Sequence, residues 1–434
     1  MPVDESMLPS KIGIWVQRAA LVVRAPALTQ RQWRVLGLVA LTTIFGQYGV
    51  VLLSLALPQI QASMAIPTAQ MSNWLALIRL GALPAFGLAL AADRLGRRRL
   101  LLLAVIAFSL LTGATAFAPT IGLFVTFQFL VRTFVAAASI LAGVMIVEEF
   151  PEYARGWGIG ALSALASVGG GIAALLFALV DIVPFGWRAL YAIGLLALLS
   201  SSLLYYHLPE TERFQDQQSQ RNSVHHGFVL AARPLISLVQ AYPGRIIVLS
   251  SIIFLLSLGG DAALFYDLAY LQQAHGWQPW HISLLNLGAG FMAVLGSAYA
   301  GQLSDQVGRK KATMIFLAAL PICIFGFFTS FGVLLPVWWA GLLFTSIGVG
   351  VALGTFRAEL FPTSYRSTAT GATAVLATLG GALSLVLHGR LIGSIGSPWP
   401  AIGLMGFLIL GAPLLVLLLP ETNRRTLEEI APER

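Results

Sequence analysis

Charge is scarce in this chain of 434 residues. Asp, Glu, Lys and Arg together supply 10%, against 57% hydrophobic residues and a mean hydropathy of +0.83. A soluble fold of this length needs far more polar surface. Cysteine is scarcer still: Cys323 stands alone, which excludes an intrachain disulfide, and it is expected to pack in its helix. No group of Cys and His has metal-ligand spacing, so no metal is expected. His225 and His226 fall in a polar loop and are read as plain loop residues. The phosphate-cradling run G-x-x-x-x-G-K-[ST] is missing, and with it any sign of direct ATP use. There is no nucleophile–base constellation and no pair of catalytic carboxylates, so neither enzymatic chemistry nor a cofactor is expected. The N-terminal stretch lacks a signal-peptide pattern with a cleavage site. Its "KIGIWVQRAALVVR" (11–24) suits either the inner membrane surface or a disordered basic tail.

What the chain has is long apolar runs. About 20 such residues span a hydrocarbon core, and backbone groups in lipid favour helices. The strict alternation of a membrane β-barrel is missing. Twelve spans are predicted, at 35–57, 73–92, 100–118, 121–147, 157–180, 188–207, 246–270, 281–303, 312–332, 335–358, 367–392 and 399–419. The net charge of +8 does not point to nucleic acid, because 21 of the 26 Lys and Arg fall on one side of these spans. The positive-inside rule then places both termini in the cytoplasm, of an inner or cell membrane.

The chain is written twice. Glu148 and Glu359, Pro151 and Pro362, Arg155 and Arg366, Gly169 and Gly380, and the two "PET" runs from Pro209 and Pro420 all recur at an offset of 211; Asp93 and Asp305 differ by 212. The expected organisation is a cytoplasmic N-terminal segment (1–34), a six-helix bundle (35–207), a polar linker (208–244), a second bundle (245–420) and a cytoplasmic tail (421–434). This is an all-α membrane protein of twelve transmembrane helices in two six-helix parallel repeats.

That arrangement resembles the major facilitator superfamily, whose halves rock about a site near the bilayer midplane. "DRLGRRR" and "DQVGRKK" resemble the family's signature loop and its copy. "EEFPEYARG" and "AELFPTSYRS" resemble its E-x-x-P-x-x-x-R signature, and "PETERF" and "PETNRRTLEEI" resemble the half-closing sequences of sugar porters and organic ion transporters. The resemblance implies a monomeric transporter.

At the basic side, Asp93, Arg94, Arg97, Glu148 and Arg155 form one set of charges, and Asp305, Arg309, Glu359 and Arg366 its copy. Carboxylates there can pair with Arg and accept backbone N–H bonds, while Gly96 and Gly308 allow a tight turn. Each set is expected to act as a latch, formed when the inner side closes and broken when it opens. Arg98, Arg99, Lys310 and Lys311 are read as topology signals, and Ala89 and Gln306, standing opposite Gly301 and Arg94, point to a weaker second latch. The "PET" runs are read as helix ends.

Charge within a span is costly, about 2.5–3.5 kcal/mol at a helix centre on insertion scales, so it marks candidates. Asp261 and Asp267 lie in span seven, Arg79 in span two and Arg132 in span four. Asp261 follows Gly259 and Gly260, expected to loosen the helix. It can carry a proton, bind a cation, or serve as a structural partner of an arginine. Arg132 sits in a stretch resembling the family's helix-four arginine signature, whose usual acidic partner on helix one is missing: Gln47 and Tyr48 stand there. Either the protein is a facilitator or coupling has moved to Asp261 or Asp267.

Tyr266 and Asn286 complete the candidates for a pocket. His388 is read as a helix-packing residue, and Trp338 and Trp339 as interfacial anchors. Span seven lacks the glutamine pattern of sugar recognition. Span five lacks the Gly-Pro motif of drug–proton antiporters, and its glycines suit close packing. The expected function is alternating-access transport of a small organic solute, secondary active or facilitative, with a proton as possible co-substrate. A non-transporting sensor or receptor of the same fold, or a drug–proton antiporter, is the alternative.

Overall fold

The computed structural model describes residues 26–210, 228–423 and 427–430. The segment 11–24, His225 and His226 lie outside them, as do the side chains of Asp93 and Arg94. Among the described residues, twelve long helical segments follow in chain order, and eleven of them are long and apolar enough to cross a membrane. They are α1 (Gln30–Leu55), α2 (Thr68–Leu80, resuming as Pro84–Leu95), α3 (Arg97–Thr115), α4 (Ile121–Glu149), α5 (Arg155–Phe177) and α6 (Trp187–His207). The second six are α7 (Pro243–His275), α8 (Pro279–Val307), α9 (Arg309–Thr329), α10 (Leu334–Glu359), α11 (Thr363–Ile395) and α12 (Pro398–Val416). The segment read as a polar linker also holds a helix, Phe228–Ala241.

Local chemistry sets the helix starts. Thr29 and Gln32 cap α1 reciprocally, and Thr120 accepts from Leu123 N at the head of α4. The turns into α3 and α9 pivot on Gly96 (φ 97°) and Gly308 (φ 103°), a backbone region closed to most other residues. α2 breaks at residues 81–83, where Pro84 has no N–H to continue the ladder. Thr133 of α4 donates to the buried Gly81 carbonyl at 2.6 Å, so the break is satisfied from a neighbouring helix.

Helix contacts repeat as the sequence does. A Cβ at Gly169 of α5 would strike the Ile44 carbonyl of α1, and one at Gly380 of α11 would lie 2.8 Å from the Phe254 carbonyl of α7. Missing side chains thus let the same helix pair close up in each half. α7, by contrast, does not loosen. It runs unbroken through Gly259 and Gly260, and a Cβ at Gly259 would lie 2.6 Å from Ile409 of α12. Those glycines make room for a helix rather than opening one.

The apolar core shows where the halves meet. One cluster runs through both, joining Leu52, Leu57 and Leu75 to Tyr266, Leu385 and Ile402. A second belongs to the first half alone and lies toward the basic end, around Val35, Leu101, Met145 and Leu204.

Candidate functional site

Three of the charges expected inside the membrane converge between the halves. Arg79 of α2 forms an ion pair with Asp261 of α7, the side chains being 23% and 18% exposed. Arg132 of α4 lines the same small pocket as Arg79, with Gln128 and Phe265, and lies within electrostatic range of both members of the pair. The break in α2 helps to place it: Gly81 lets α2 approach so closely that a Cβ there would lie 3.2 Å from Cβ of Arg132. Gly381 of α11 clears the space beside the pair, since a Cβ would overlap the Asp261 carboxylate and come 2.8 Å from Nε of Arg79. Two cations and one anion leave the cluster with a formal charge of +1.

Asp261 also borders a cavity of about 280 Å³ within the second half. Its walls are Leu256, Leu320, Leu342 and other aliphatic side chains of α7, α9, α10 and α11, with Arg357 among the lining residues.

The remaining candidates go elsewhere. Asp267 is 6% exposed, accepts the Leu268 N–H at 2.7 Å and takes the Trp339 indole N–H at 3.3 Å. Trp339 is therefore a buried partner and not an interfacial anchor. Tyr48 is buried in the first half and donates to the Leu190 carbonyl of α6 at 2.7 Å. Gln47 is half-buried on α1. Asn286 donates to the Ile282 carbonyl of its own helix at 3.1 Å.

Tyr266 belongs to a network far from the basic end. Its hydroxyl is 2.7 Å from Ser72 Oγ of α2, which is 3.0 Å from Nδ1 of His388 on α11. His388 Nε2 in turn lies 3.1 Å from the Pro398 carbonyl. Nearby, Gln59 donates to Gln272 at 2.9 Å, Gln273 to Gln61 at 3.0 Å, and Ser283 of α8 to the Ala174 carbonyl of α5 at 2.5 Å. Neutral hydrogen bonds thus tie the halves together at this end.

At the basic end, Arg97 and Arg309 each pair within a half. Arg97 meets Glu148 at 3.1 Å. Arg309 bridges Asp305 and Glu359, the latter at 3.1 Å, and the Thr422 hydroxyl donates to Glu359 at 2.5 Å. Arg155 and Arg366 do the same thing in each half, donating to the carbonyls of Phe150 at 3.2 Å and Phe361 at 3.1 Å. The "PET" glutamates do more than end a helix. Glu210 accepts from Arg98 N at 3.1 Å, and Glu421 from Arg309 N at 3.0 Å and Lys310 N at 3.3 Å, so each neutralises the positive N-terminus of α3 or α9. Arg98 and Lys310 exceed topology signals too: Arg98 donates to the Tyr205 carbonyl of α6, and Lys310 to the Leu417 carbonyl after α12 at 2.7 Å.

Two membrane-spanning six-helix halves, joined at one end around a central charge cluster, define a transporter. The sequence profile of the Major Facilitator Superfamily matches residues 39–358 and 251–433, and the chain belongs to that family. It is similar to the cis,cis-muconate transport protein of Acinetobacter baylyi, 25% identical over 75% of this chain and 78% of that protein. It is also similar to the glucose transporter GlcP of Staphylococcus epidermidis, 26% identical over 79% of this chain and 83% of that one. In fold it matches the inward open xylose transporter XylE of Escherichia coli, with a TM-score of 0.72 at 18% identity over 92% of this chain and 99% of that one. The protein is an integral membrane transporter of a small organic solute, and not an enzyme.

Proposed function

We propose that the solute is a small organic anion, held by Arg79 and Arg132 and moved with a proton carried by Asp261. The observation that supports this is the convergence of two arginines and one aspartate between the halves. A site of net positive charge favours a carboxylate over a sugar or a cation, and guanidinium groups match carboxylate geometry. The relatives named above carry a dicarboxylate in one case and a sugar in the other; the charges here favour the first. When the solute carboxylate takes Asp261's place on Arg79, Asp261 gives up its bonded partner and is free to carry the accompanying proton.

In this reading the neutral bonds around Ser72, Tyr266 and His388 form the outer gate, closed here. The intra-half pairs of Arg97 and Arg309 form the inner latch sets. Asp93 and Arg94 would complete the first set. The distribution of basic residues supports cytoplasmic termini in an inner membrane and a domain organisation as expected from the repeat; labelling of an N-terminal tag from outside intact cells would overturn that orientation.

The test of the solute class is a ligand-induced thermal shift on the purified chain. The panel holds benzoate, cis,cis-muconate, glucose and choline, with Arg132→Gln alongside. Carboxylates should stabilise the protein, and Arg132→Gln should weaken that at least tenfold. Stabilisation by glucose or choline alone, or an unaffected variant, would overturn the anion reading.

A further inference from the structure

Beside the charge cluster lies a cavity that the anion reading does not use. It is framed by Leu256 and Leu264 of α7, Leu320 and Ile324 of α9, and Leu342, Val349 and Leu353 of α10. Its volume, about 280 Å³, lies just below the ~300–1,000 Å³ typical of small-molecule sites, which suits a small solute body. Asp261 stands in its wall, so whatever binds Arg79 in place of Asp261 has this space next to it. Polar side chains are few: Ser257, Ser346, Arg357 and Asp261 are the ones among the lining residues. A sugar buried here would leave several of its own hydroxyls unpaired, each costing about 1–3 kcal/mol. An aromatic ring or a short alkyl chain loses nothing of that kind.

Two lining residues of α10, Gly350 and Gly354, differ from the packing glycines of the fold. A Cβ built on Gly381, Gly380 or Gly259 meets another helix, whereas one built on Gly350 or Gly354 meets nothing within 4 Å. Neither is needed for helix packing, and both keep one wall of the cavity clear. Glycine in a helix interior costs about 1 kcal/mol relative to alanine, a cost unbalanced here by any contact.

Resting on the anion reading, we propose that the solute is a monocarboxylate with an apolar body. That body lies in the α7–α9–α10–α11 cavity against Gly350 and Gly354, and these two glycines set its permitted size. The carboxylate end is held across the halves by Arg79 and Arg132. Hydroxylated acids of equal charge are disfavoured because the polar side chains of the lining, Ser257, Ser346, Arg357 and Asp261, stand among a majority of aliphatic ones and cannot pair every hydroxyl.

The experiment uses the full-length protein in lipid nanodiscs and three probes of one charge: benzoate, acetate and glucuronate. Wild-type protein should bind benzoate at least tenfold more tightly than glucuronate. Gly350→Leu should lower benzoate affinity at least tenfold and leave acetate affinity within twofold. Gly350→Ala, which adds one methyl into open space, serves as a smaller step and should give an intermediate loss. Unchanged benzoate binding in Gly350→Leu, or glucuronate binding equal to benzoate, overturns the cavity assignment while leaving the anion reading intact. Equal loss of acetate and benzoate also overturns it, since the effect would then not be one of size. Failure of the wild-type protein to bind any of the three overturns both.

Discussion

The Arg79–Asp261 pair can be tested as a physical bond between the halves. Each side chain is largely but not wholly buried, at 23% and 18% exposure. Exposed ion pairs contribute about 0–1 kcal/mol, whereas removing one partner of a buried pair costs about 3–5 kcal/mol. Two unit charges 4 Å apart attract by about 4 kcal/mol at an effective dielectric of 20, which bounds the attraction before desolvation is subtracted. The pair sits between these cases, so its coupling energy should be about 2 kcal/mol. A double-mutant cycle isolates it: Arg79→Gln, Asp261→Asn and both together, with unfolding of the purified protein followed in each. Either single change leaves an uncompensated charge; Asp261→Asn also leaves Arg79 facing Arg132. The double variant should therefore be about 2 kcal/mol less destabilised than the sum of the singles. Strict additivity would refute the bond, and with it the proposal that a solute carboxylate competes with Asp261.

Two other contacts carry defined costs. Glu421→Ala should destabilise the protein by about 1–2 kcal/mol, since it removes the acceptor for Arg309 N and Lys310 N at the head of α9; Glu421→Gln keeps an oxygen there and should lose about half as much, and equal losses would show that charge is the only contribution. Ser72→Ala leaves the Tyr266 hydroxyl and the His388 ring without their bridging oxygen and should cost about 1–3 kcal/mol, read as a lowered unfolding temperature; an unchanged temperature would mean that the contact is absent in the membrane.

The repeat made much of the fold legible in advance. Residues at equal offset do equal work: Arg155 and Arg366 hold the ends of α4 and α10, Gly169 and Gly380 seat α5 and α11, and Glu210 and Glu421 meet α3 and α9. The glutamates read only as helix ends in the sequence, although a signal for their role is there: a glycine turn before a basic helix start leaves open N–H groups that want an anion. Pairing across the halves was not legible. Nothing along the chain says that Arg79 meets Asp261 while Asp267, six residues on, meets Trp339; that depends on which face of α7 each helix packs against. Gly259 and Gly260 were misread for the same reason, since a glycine pair signals room for a neighbour or a weak point equally well, and only Ile409 settles which.

The chemistry of the two ends fits a molecule that must change state. Among the described residues, six side-chain hydrogen bonds cross between the halves at the end away from the basic loops: Gln59–Gln272, Gln272–Leu55, Gln273–Gln61, Ser72–Tyr266, Ser72–His388 and Ser283–Ala174. All are neutral. At about 0.5–1.5 kcal/mol each, they hold that end shut by roughly 3–9 kcal/mol before any apolar contact is counted. Reversing a two-state preference from 1:99 to 99:1 takes about 5.5 kcal/mol. The bonds therefore lie in the range that opposing contacts, made when the other end closes, can balance. On the proposed latch, the charges at the basic end would supply such opponents: Arg97 pairs with Glu148 and Arg309 with Glu359 within a half, and the other half closing on them would add contacts. On the proposed reading, charge at the basic end and neutral bonds at the other would keep the two states close in energy, so that a carboxylate arriving at Arg79 and Arg132 would decide between them.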